Sequence, residues 1–324
     1  MAKKILITGG AGFVGSNLAE HLAQKGHNVV IYDNLSRNGS ELTLKKLIAK
    51  QPKIEVHRGE MDDIADYLHH NGVDLVYHFA AQVAVTHSYT APRSDFRINA
   101  HGTFHLVHST KAPVIYASTN KVYGDNVNGV KLKEHDTRYD FAGKYQGRGL
   151  PESFSIDTSY HTPYGVSKLV GELYVRETGG VANRFSCMYG PNQFGNEDQG
   201  WVAHFVIAKL KNKPLYVYGD GKQVRDLLYV SDVVRLLDLE GENIDKIRGE
   251  VFNIGGGFKN TLSLLELCKL LDIKPSSFGE WRQADQKVFY NDISKAKRVL
   301  GWEPVVGPKE GIGHLTNWVR EHHP

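Results

Sequence analysis

Short apolar runs alternate with segments of helical periodicity through the first half of the chain. The apolar runs, which are rich in Ile, Val and Leu, predict strands at residues 4–8, 28–32, 54–58, 75–79, 114–118 and 181–186. The segments between them predict helices at residues 12–24, 39–50, 62–70, 92–110 and 163–178. Strands that are apolar on both faces and alternate with helices indicate a doubly wound parallel sheet, with helices covering each face.

The second half of the chain has a less regular pattern, beginning after residues 189–191. It predicts a helix near residues 201–211, a strand near 215–218 and a final helix near 308–321, with short α and β elements between them. We interpret this half as a smaller C-terminal α/β lobe. The expected domains are residues 1–186 and 187–324, and we expect the chain to cross between them.

One segment of the first half, residues 125–161, fits neither pattern because it is long, polar and without clear periodicity. A loop of this length inside a compact domain is usually functional or mobile. Two interpretations remain open at this point: a lid over a substrate and a plain surface loop.

Composition and charge narrow the class of partner. A 324-residue chain with 41% hydrophobic and 23% charged residues is ordinary for a globular protein. Its net charge of +3 is too small to predict a nucleic-acid surface, but it suits a small anionic substrate such as a nucleotide diphosphate. No apolar run reaches membrane-spanning length, so we expect no membrane partner.

The cysteines and histidines bear on compartment and metal content. Cys187 and Cys268 are too few for a disulfide framework, so a reducing, cytoplasmic compartment is predicted. His101 and His105 have helical i,i+4 spacing, but no Glu follows His101 as the HExxH motif requires, and no third ligand suggests itself. We therefore predict no metal site.

A glycine-rich loop follows the first predicted strand and opens the first predicted helix. Gly9, Gly12 and Gly15 allow a tight turn and the close approach of a pyrophosphate to the helix N-terminus. Asp33 lies eighteen residues beyond Gly15, where a carboxylate binds ribose hydroxyls and repels a 2′-phosphate, which favours NAD. Arg37 instead favours NADP, because an arginine can hold that phosphate. Sheet pattern and loop together predict an α/β fold of the Rossmann type.

Tyr164 and Lys168 lie one helical turn apart on the same face of a predicted helix. A lysine there can stabilise the tyrosinate and lower a phenol pKa that is otherwise about 10, so that the oxygen becomes a usable general base. This spacing is common on its own. The glycine-rich loop makes a catalytic role for the pair more specific. Ser118 and Thr119, which lie in the sequence between that loop and the Tyr164–Lys168 pair, do the same.

Several motifs resemble the extended short-chain dehydrogenase/reductases. They are TGGAGFVG at residues 8–15, YDNLSR at 32–37, Ser118–Thr119 with VYG at 122–124, Tyr164 with Lys168, YGDGKQVRD at 218–226 and LGWEP at 300–304. The resemblance covers nearly the whole chain. It implies an NAD-dependent enzyme that acts on nucleotide sugars, in which residues 1–186 bind NAD and carry the catalytic pair. Residues 187–324 would mainly bind the sugar nucleotide.

Within this superfamily, further stretches resemble the CDP-tyvelose 2-epimerases, also called CDP-paratose 2-epimerases. They are STNKVYGD at residues 118–125, DTRY at 136–139, DQGWV at 198–202, and FNIGG at 252–256 followed by LSLLEL at 262–267. The resemblance implies an isomerase that inverts carbon 2 of a CDP-hexose (CDP-paratose/CDP-tyvelose or CDP-glucose/CDP-mannose) through a transient 2-keto sugar. NAD would be tightly bound and regenerated in each turnover.

The resemblance also implies the roles of individual residues. Tyr164 would remove the hydroxyl proton, Lys168 would hold the nicotinamide ribose, and Thr119 would hydrogen-bond the reacting oxygen. The expected cofactor contacts are Gly9, Gly12, Phe13, Val14, Gly15, Asp33, Asn34, Ser36, Arg37, Glu60, Met61, Phe79, Ala80, Ala81, Gln82, Asn99, Tyr164 and Lys168. The expected substrate contacts are Gln82, Thr119, Asn120, Cys187, Gln199, Trp201, Val202, Tyr216, Arg225 and Arg282.

Two arginines and two departures from the superfamily pattern bear on these expected contacts. Arg225 and Arg282 are candidates for the substrate diphosphate, because a planar guanidinium pairs well with phosphate oxygens. Cys187 stands where many members of the superfamily have Asn, and Glu60 stands where an Asp is common.

A homodimer is also implied by the resemblance, because members often pair through the helices that match residues 92–110 and 163–178.

Three alternative functions differ in the residues that they require. A UDP-sugar 4-epimerase would use the same catalytic groups. A sugar-nucleotide 4,6-dehydratase needs Asp-Glu directly after the Ser/Thr, whereas this chain has Asn120 and Lys121, so dehydration is disfavoured. A non-catalytic NAD sensor can lose the Tyr or the Lys, and both are present here.

Overall fold

A computed structural model describes residues 2–322 of the chain. Its strands are β1 (Lys4–Thr8), β2 (Asn28–Asp33), β3 (Glu55–Arg58), β4 (Leu75–His78), β5 (Val114–Thr119), β6 (Leu132–Glu134), β7 (Tyr139–Phe141), β8 (Val181–Phe185), β9 (Cys187–Tyr189), β10 (Tyr216–Tyr218), β11 (Val224–Tyr229), β12 (Val251–Ile254), β13 (Thr261–Ser263), β14 (Ser277–Gly279) and β15 (Val288–Phe289). Its α-helices are α1 (Phe13–Gln24), α2 (Ser40–Lys50), α3 (Ile64–His70), α4 (Val85–Thr90), α5 (Pro92–Phe96), α6 (Gly102–His108), α7 (Pro163–Glu177), α8 (Trp201–Leu210), α9 (Val230–Glu242), α10 (Leu264–Leu271), α11 (Ser294–Leu300) and α12 (Pro308–His322).

The chain forms two compact units, each assembled from separate segments. The first contains the residues up to Thr119 together with Pro163–Arg184 and Val233–Val251. The second contains Asn120–Thr162, Phe185–Asp232 and the residues from Phe252 onward. The predicted boundary after residue 186 lies beside one crossing, whereas Asn120–Thr162, which that prediction gave to the first domain, lies in the second unit.

A seven-stranded sheet with the order β12-β8-β5-β4-β1-β2-β3 organises the first unit. β1 pairs in parallel with both β2 and β4, and the pairs β2–β3 and β4–β5 are also parallel. The strand order therefore reverses between β1 and β4, which is the point where doubly wound sheets open a crevice for ligands at the carboxyl ends of the strands. The predicted Rossmann-type fold is confirmed.

Both faces of the central strands of this sheet are covered, as their apolar sequences predict, whereas the edge strand β3 is exposed. Leu6 of β1 belongs to a core cluster with Val76, Val114 and Leu106, whereas its neighbours Ile5 and Ile7 are buried on the opposite face. Successive residues of a strand point to opposite faces, so a strand buried on both sides must be apolar throughout.

The predicted elements of the first half are confirmed, with one difference in the helix expected at residues 92–110. That segment consists of α5, a π-helical stretch at Arg97–His101 and α6. π-helical turns are rare and often occur at functional sites. Here the stretch contains Asn99, a predicted cofactor contact.

The second unit is built around β11, which pairs with β9 and β15 in parallel and with β13 in antiparallel orientation. The predicted helix at 201–211, strand at 215–218 and helix at 308–321 correspond to α8, β10 and α12. The segment 125–161 contains the β6–β7 hairpin and buries Phe141 and Leu150 completely. It is therefore more ordered than its polar sequence indicated, and its function as a lid stays a prediction. Between residues 2 and 322, no helix is both long enough and apolar enough to cross a membrane.

Candidate active site

The glycine-rich loop connects β1 to α1 at the carboxyl edge of the sheet. Gly9 has φ +68°, and a Cβ on it would lie 2.7 Å from the backbone nitrogen of Ala80. A Cβ on Gly15 would lie 2.3 Å from the Gly9 carbonyl oxygen, so both positions require glycine. A Cβ on Gly12 would meet only that same carbonyl oxygen within 4 Å, at 3.2 Å, in the described part of the chain. The loop surface at Gly12 is thus open to a ligand.

Gly12 also precedes the first turn of α1, whose N-terminus carries no side-chain cap and no acidic residue. Phe13 and Val14 are half-buried in that turn. Free backbone N–H groups at the start of a helix attract an anion such as a pyrophosphate. The geometry of the loop therefore fits the dinucleotide that its sequence predicts.

Asp33, at the end of β2, faces the same loop. Its Oδ2 accepts a hydrogen bond from the Ala11 N–H at 3.0 Å, and its Oδ1 accepts one from the Leu35 N–H at 2.8 Å. Burial raises the pKa of the Asp33 carboxyl, while these two backbone donors lower it. A carboxylate has about four acceptor positions, so two remain for ribose hydroxyls.

The residues after Asp33 form a polar, exposed edge to this region. Asn34 donates from Nδ2 to Glu60 Oε2 at 3.0 Å and accepts at Oδ1 from the Ser36 hydroxyl at 2.7 Å. Arg37 is exposed, and its charge acts on the hydroxyl of Tyr164. Met61 differs from the others because its side chain is buried in the hydrophobic core.

The segment after β4 holds the next group of predicted contacts. Phe79, Ala80, Ala81 and Gln82 are half-buried, and the Phe79 N–H donates to the Thr8 carbonyl at 3.0 Å. The carboxyl ends of β1 and β4 are thereby tied together. This places the segment at the strand-order reversal, as expected for a ligand crevice.

Gln82 and Asn99 lie in a buried polar network. The two residues exchange hydrogen bonds of 2.9 Å between the Gln82 backbone and the Asn99 amide. Asp95 accepts from the Gln82 amide at 2.7 Å and from the Ser167 hydroxyl at 2.5 Å. The network joins α5 and the π-helical stretch to α7, and so it fixes the helix that carries Tyr164.

Tyr164 lies in the first turn of α7 and is 8% exposed. Burial raises the pKa of its hydroxyl to about 12, whereas a hydrogen bond from the Thr119 side chain and the charge of Arg37 lower it. Asp95 raises it further. The structure therefore brings Tyr164 and Thr119 together, but burial keeps the phenol protonated near neutral pH.

Lys168 is 2% exposed, and its Nζ lies 4.1 Å from the centre of the Tyr116 ring. Burial lowers the pKa of this ammonium to about 7, while Asp95 and Glu172 raise it. A cation over an aromatic face is stabilised by the ring quadrupole. The contact of Lys168 with the nicotinamide ribose stays a prediction.

A buried ion pair lies one turn beyond Lys168 on the same helix. Glu172 is fully buried, and its Oε1 accepts from Arg184 Nη2 at 2.6 Å. Arg184 Nε lies 3.2 and 3.1 Å from the two carboxylate oxygens, and the Ser118 hydroxyl donates to Oε2 at 2.7 Å. Ser118 is therefore bound to this pair rather than directed at Tyr164.

His78, at the end of β4, is a buried polar residue that the sequence did not single out. It lies between the hydroxyls of Thr8 at 2.6 Å and Thr103 at 2.9 Å. Burial lowers its pKa to about 3, with the charge of Lys168 acting in the same direction. His78 is thus a neutral residue that links β1, β4 and α6.

The second unit holds the predicted substrate contacts. Arg225, on β11, pairs with Asp285 at 2.6 Å and donates to the carbonyl of Val224 at 2.8 Å. Asn120 donates from Nδ2 to Gln286 Oε1 at 3.4 Å, and Lys121 Nζ lies at the same distance from that oxygen. Asp285 and Gln286 are neighbours in sequence, so the two predicted contacts Asn120 and Arg225 share one polar cluster.

Cys187 is paired with another predicted contact. The Trp201 indole N–H donates to Cys187 Sγ at 2.6 Å. Burial raises the pKa of this thiol to about 11. The Oε1 atom of Gln199 is buried and has no hydrogen-bond partner among the described residues, whereas Val202 is packed in the interior.

The remaining substrate candidates differ in exposure. Tyr216, on β10, is 49% exposed. Arg282 lies over the Tyr218 ring, 4.0 Å from its centre, and forms a 3.5 Å ion pair with Asp198. Both residues stay predicted substrate contacts.

Comparison with known proteins decides the family. The model of the NAD dependent epimerase/dehydratase family matches residues 5–255. This chain belongs to that family. A CDP-paratose 2-epimerase of Salmonella typhi is 38% identical to it over 340 aligned positions, which cover 97% of this chain and 98% of that enzyme.

Solved structures of the family have the same fold. A UDP-glucuronic acid 4-epimerase of Bacillus cereus, in complex with UDP-glucuronic acid and NAD, has a TM-score of 0.81 and 27% identity, with 98% of this chain and 99% of that chain covered. A UDP-glucose 4-epimerase of Thermotoga maritima, with UDP-glucose, has a TM-score of 0.81 and 28% identity, with 99% and 100% covered.

These comparisons confirm the predicted superfamily and the dependence on NAD. They also confirm the class of enzyme, an NAD-dependent nucleotide-sugar epimerase, and a nucleotide sugar as its substrate. No group of three or more metal-ligating side chains occurs among residues 2–322, and the absence of a metal stays a prediction.

Sequence reasoning missed the residues that support the site. Glu172 had a usable signal, because a carboxylate four residues after Lys168 shares its helix face. Asp95 had a similar signal, because Asn99 follows it by four residues and donates to its carboxylate. Arg184 and Lys121 had none, because their partners are distant in the sequence. A charged residue without a local partner is ordinarily taken as a surface residue.

Proposed function

We propose that this enzyme inverts carbon 2 of a CDP-hexose. The observation that carries the proposal is the 38% identity, over 97% of the chain, to an enzyme named CDP-paratose 2-epimerase. Thr119 is followed by Asn120 and Lys121, which cannot supply the two carboxyl groups of the Asp-Glu pair that a dehydratase has at these positions. That sequence supports epimerisation over elimination of water.

The residues of the first unit have the chemistry for such a reaction. When bound, NAD would accept hydride from the sugar carbon and return it. In its phenolate form Tyr164 would take the proton of the substrate hydroxyl. Thr119, whose single hydroxyl proton is directed at the phenol oxygen, would donate that proton to the reacting oxygen once substrate is bound. Asp95 and the residues bonded to it hold α7, so that the phenol keeps its place. Lys168, four residues further along the same helix, would favour negative charge on Tyr164 when its ammonium is protonated.

The cofactor site is proposed from the same unit. Asp33 would bind the adenosine ribose hydroxyls and exclude a 2′-phosphate, while Gly9, Gly12 and Gly15 admit the pyrophosphate. The other predicted contacts, from the edge residues after Asp33 to Asn99, line or support this region. We also propose that NAD stays bound between turnovers, because the reaction has no net redox change.

A UDP-sugar 4-epimerase is the second candidate. It is favoured by the likeness to the two solved 4-epimerases, whose structures contain UDP-glucose and UDP-glucuronic acid. The two reactions use the same catalytic groups and differ in the hydroxyl that is presented to Tyr164. Arg225, Cys187 and Trp201 of the second unit are the proposed contacts for the nucleotide diphosphate and the sugar.

Substrate assays separate these two functions. Purified enzyme is incubated separately with CDP-glucose, UDP-glucose and GDP-mannose, and the sugars are identified by NMR. The proposal expects conversion of CDP-glucose to CDP-mannose. Conversion of UDP-glucose to UDP-galactose with no change in CDP-glucose would replace the proposal by the second candidate.

We further propose a homodimer formed by α5, α6 and α7. Phe96, Phe104, Leu173 and Tyr174 are exposed large apolar side chains on these helices, and the rings of Phe104 and Tyr174 lie 5.0 Å apart. An apolar patch of this kind marks an interaction surface. Leu173→Asp should give a monomer in analytical ultracentrifugation, and an unchanged dimer would contradict this.

The remaining partner and compartment predictions also stand as proposals. The net charge of +3 gives no support for binding nucleic acid. Cys187 and Cys268 are both free thiols, which supports a reducing compartment such as the cytoplasm.

A further inference from the structure

His161 joins the two ends of a long segment that lies between Thr119 and Tyr164 in the sequence. The imidazole ring is half-buried. Its Nε2 lies 2.9 Å from the carbonyl oxygen of Val122, and its Nδ1 lies 2.9 Å from the carbonyl oxygen of Ser159. All three residues belong to the second unit. The ring therefore closes a loop at its base, where residues 122–125 meet residues 159–161; these residues are called the neck below.

The backbone of the neck is fitted closely around His161. The Asp125 N–H donates to the carbonyl oxygen of Tyr160 at 2.9 Å. Gly124 has φ +58°, and a Cβ there would lie 2.6 Å from the Tyr160 carbonyl oxygen and 3.0 Å from His161 Nε2. Glycine at this position thus lets the two ends of the loop approach each other.

The two hydrogen bonds of His161 specify its protonation. A backbone carbonyl oxygen can only accept a hydrogen bond, so each ring nitrogen must donate one. A neutral imidazole carries one N–H, whereas the imidazolium carries two. Both bonds are therefore made only in the charged form. When the ring loses a proton, a nitrogen lone pair faces a carbonyl oxygen and one of the two bonds is lost.

The carbonyl oxygens, rather than a carboxylate, hold this charge. The ionisable side chains on residues 120–129 and 155–160, and at the start of the following helix α7, are Lys121, Tyr123, Asp125, Asp157, Tyr160 and Tyr164. Asp125 accepts from the Asn128 amide at 2.7 Å, and Asp157 accepts from the Ser155 hydroxyl at 2.8 Å. Within residues 2–322, the hydrogen bonds of the imidazole go to the two carbonyl oxygens and to no carboxylate. A charged donor makes such bonds about twice as strong as neutral ones.

We propose that His161 is a positioning residue whose imidazolium fixes the chain ends that lead to Thr119 and Tyr164. Val122 lies three residues after Thr119, and His161 lies three residues before Tyr164. A loosened neck lets the catalytic groups shift, and a misplacement of about 1 Å can cost about a hundredfold in rate. The proposal rests on the proposed roles of Thr119 and Tyr164, which both candidate reactions share. It predicts that activity falls when His161 loses its proton.

Two substitutions each keep one of the two bonds. In His161→Gln the amide can replace Nε2 and donate to Val122, and in His161→Asn it can replace Nδ1 and donate to Ser159. Neither amide ionises. Where wild-type His161 is charged, kcat of both variants should be about tenfold or more below that of wild type, with KM changed by less than about threefold. The difference should disappear at higher pH, because wild type then also keeps one bond.

The test measures kcat and KM of the full-length, NAD-loaded enzyme between about pH 5.5 and 9.5, the range in which histidines titrate. The substrate is the nucleotide sugar that the substrate assays identify. The ratio of wild-type kcat to variant kcat removes contributions that both proteins share, such as that of Lys168. His135→Asn, which changes an exposed histidine of the same unit, is the matched control and should behave like wild type.

NMR of the same proteins reports the protonation of the ring without turnover. Long-range correlation of ring protons with ring nitrogens in ¹⁵N-histidine-labelled enzyme identifies His161 as the signal missing from both variants. We expect both of its nitrogens to carry protons at the acidic end of the range. This readout tests the two bonds even if the substrate assignment fails.

The outcomes decide between positioning and a merely structural role. A kcat ratio that falls to about one as His161 loses its proton supports the proposal. A neutral His161 throughout the range would overturn it, and so would a ratio that stays near one or does not follow the protonation seen by NMR. Failure of both variants to fold would assign His161 to stability and would likewise contradict the proposal.

Discussion

Glu172→Gln removes the charge that balances Arg184 in the interior of the first unit. The carboxylate is fully buried, Arg184 is 3% exposed, and their closest atoms are 2.6 Å apart. Removing one partner of a buried pair leaves the other charge uncompensated, which costs about 3–5 kcal/mol. We therefore expect the free energy of unfolding, measured by urea denaturation, to fall by about that amount.

The same substitution should change the chemistry of Lys168. Glu172 raises the pKa of that ammonium, so its loss lowers the pKa further. If charged Lys168 supports catalysis, kcat/KM should begin to fall at a lower pH in the variant than in wild type. The pH profile separates this electrostatic effect from loss of stability.

A double variant, Glu172→Leu with Arg184→Leu, provides the control. Replacing a buried ion pair by apolar side chains is often neutral for stability, so much of the lost stability should return. The pH profile should stay displaced, because the carboxylate near Lys168 is still absent. Stability of Glu172→Gln within 1 kcal/mol of wild type, or recovery of the wild-type pH profile in the double variant, would refute this reasoning.

Three further predictions concern single side chains. Tyr164→Phe should lower kcat by roughly two or more orders of magnitude and leave NAD bound, as measured by turnover and by NAD released on heating; near-normal turnover would exclude Tyr164 as the base. Asp33→Ala should weaken NAD binding and reduce discrimination against NADP in calorimetry, and release of NADP from wild type would instead favour Arg37. Burial raises the pKa of Glu240 from 4.5 to about 8. Its contribution to stability is therefore complete below pH 4.5 and is lost as pH rises through about 8. Gln does not titrate, so the free energy of unfolding of Glu240→Gln should rise by about 5 kcal/mol relative to that of wild type as the pH goes from 4.5 to 8. If the difference in unfolding free energy between the two proteins does not change with pH, this prediction is wrong.

The pattern of the chain predicted the first unit well because its central strands, such as β1 and β4, are buried on both faces. A strand such as β1 is apolar throughout, and the helices between strands have the usual lengths. The sequence did not predict β12, which is four residues long and lies far from its neighbour β8 in the chain. Short runs of this kind have no periodicity that distinguishes a strand from a buried loop.

The sequence likewise predicted one part of the candidate site and missed another. The glycine-rich loop and the Tyr164–Lys168 spacing are local patterns, so the sequence predicted them. The contact between Lys121 and Gln286 joins residues 165 positions apart, and the Glu172–Arg184 pair joins a helix to a strand. Neither follows from local spacing. The pKa of Tyr164 is raised mainly by burial, and Thr119, Asp95 and Arg37 also act on it, so that pKa could not be predicted from the motif alone.

The most direct test of the central claim follows the hydrogen on carbon 2 of the sugar. CDP-glucose is incubated with the enzyme in deuterated water, and the product is examined by NMR and mass spectrometry. Oxidation followed by return of the same hydrogen predicts CDP-mannose with no deuterium at carbon 2. Deuterium incorporated at that carbon would show exchange with solvent and contradict the mechanism, and inversion confined to carbon 4 of a UDP-sugar would contradict the assignment of the substrate.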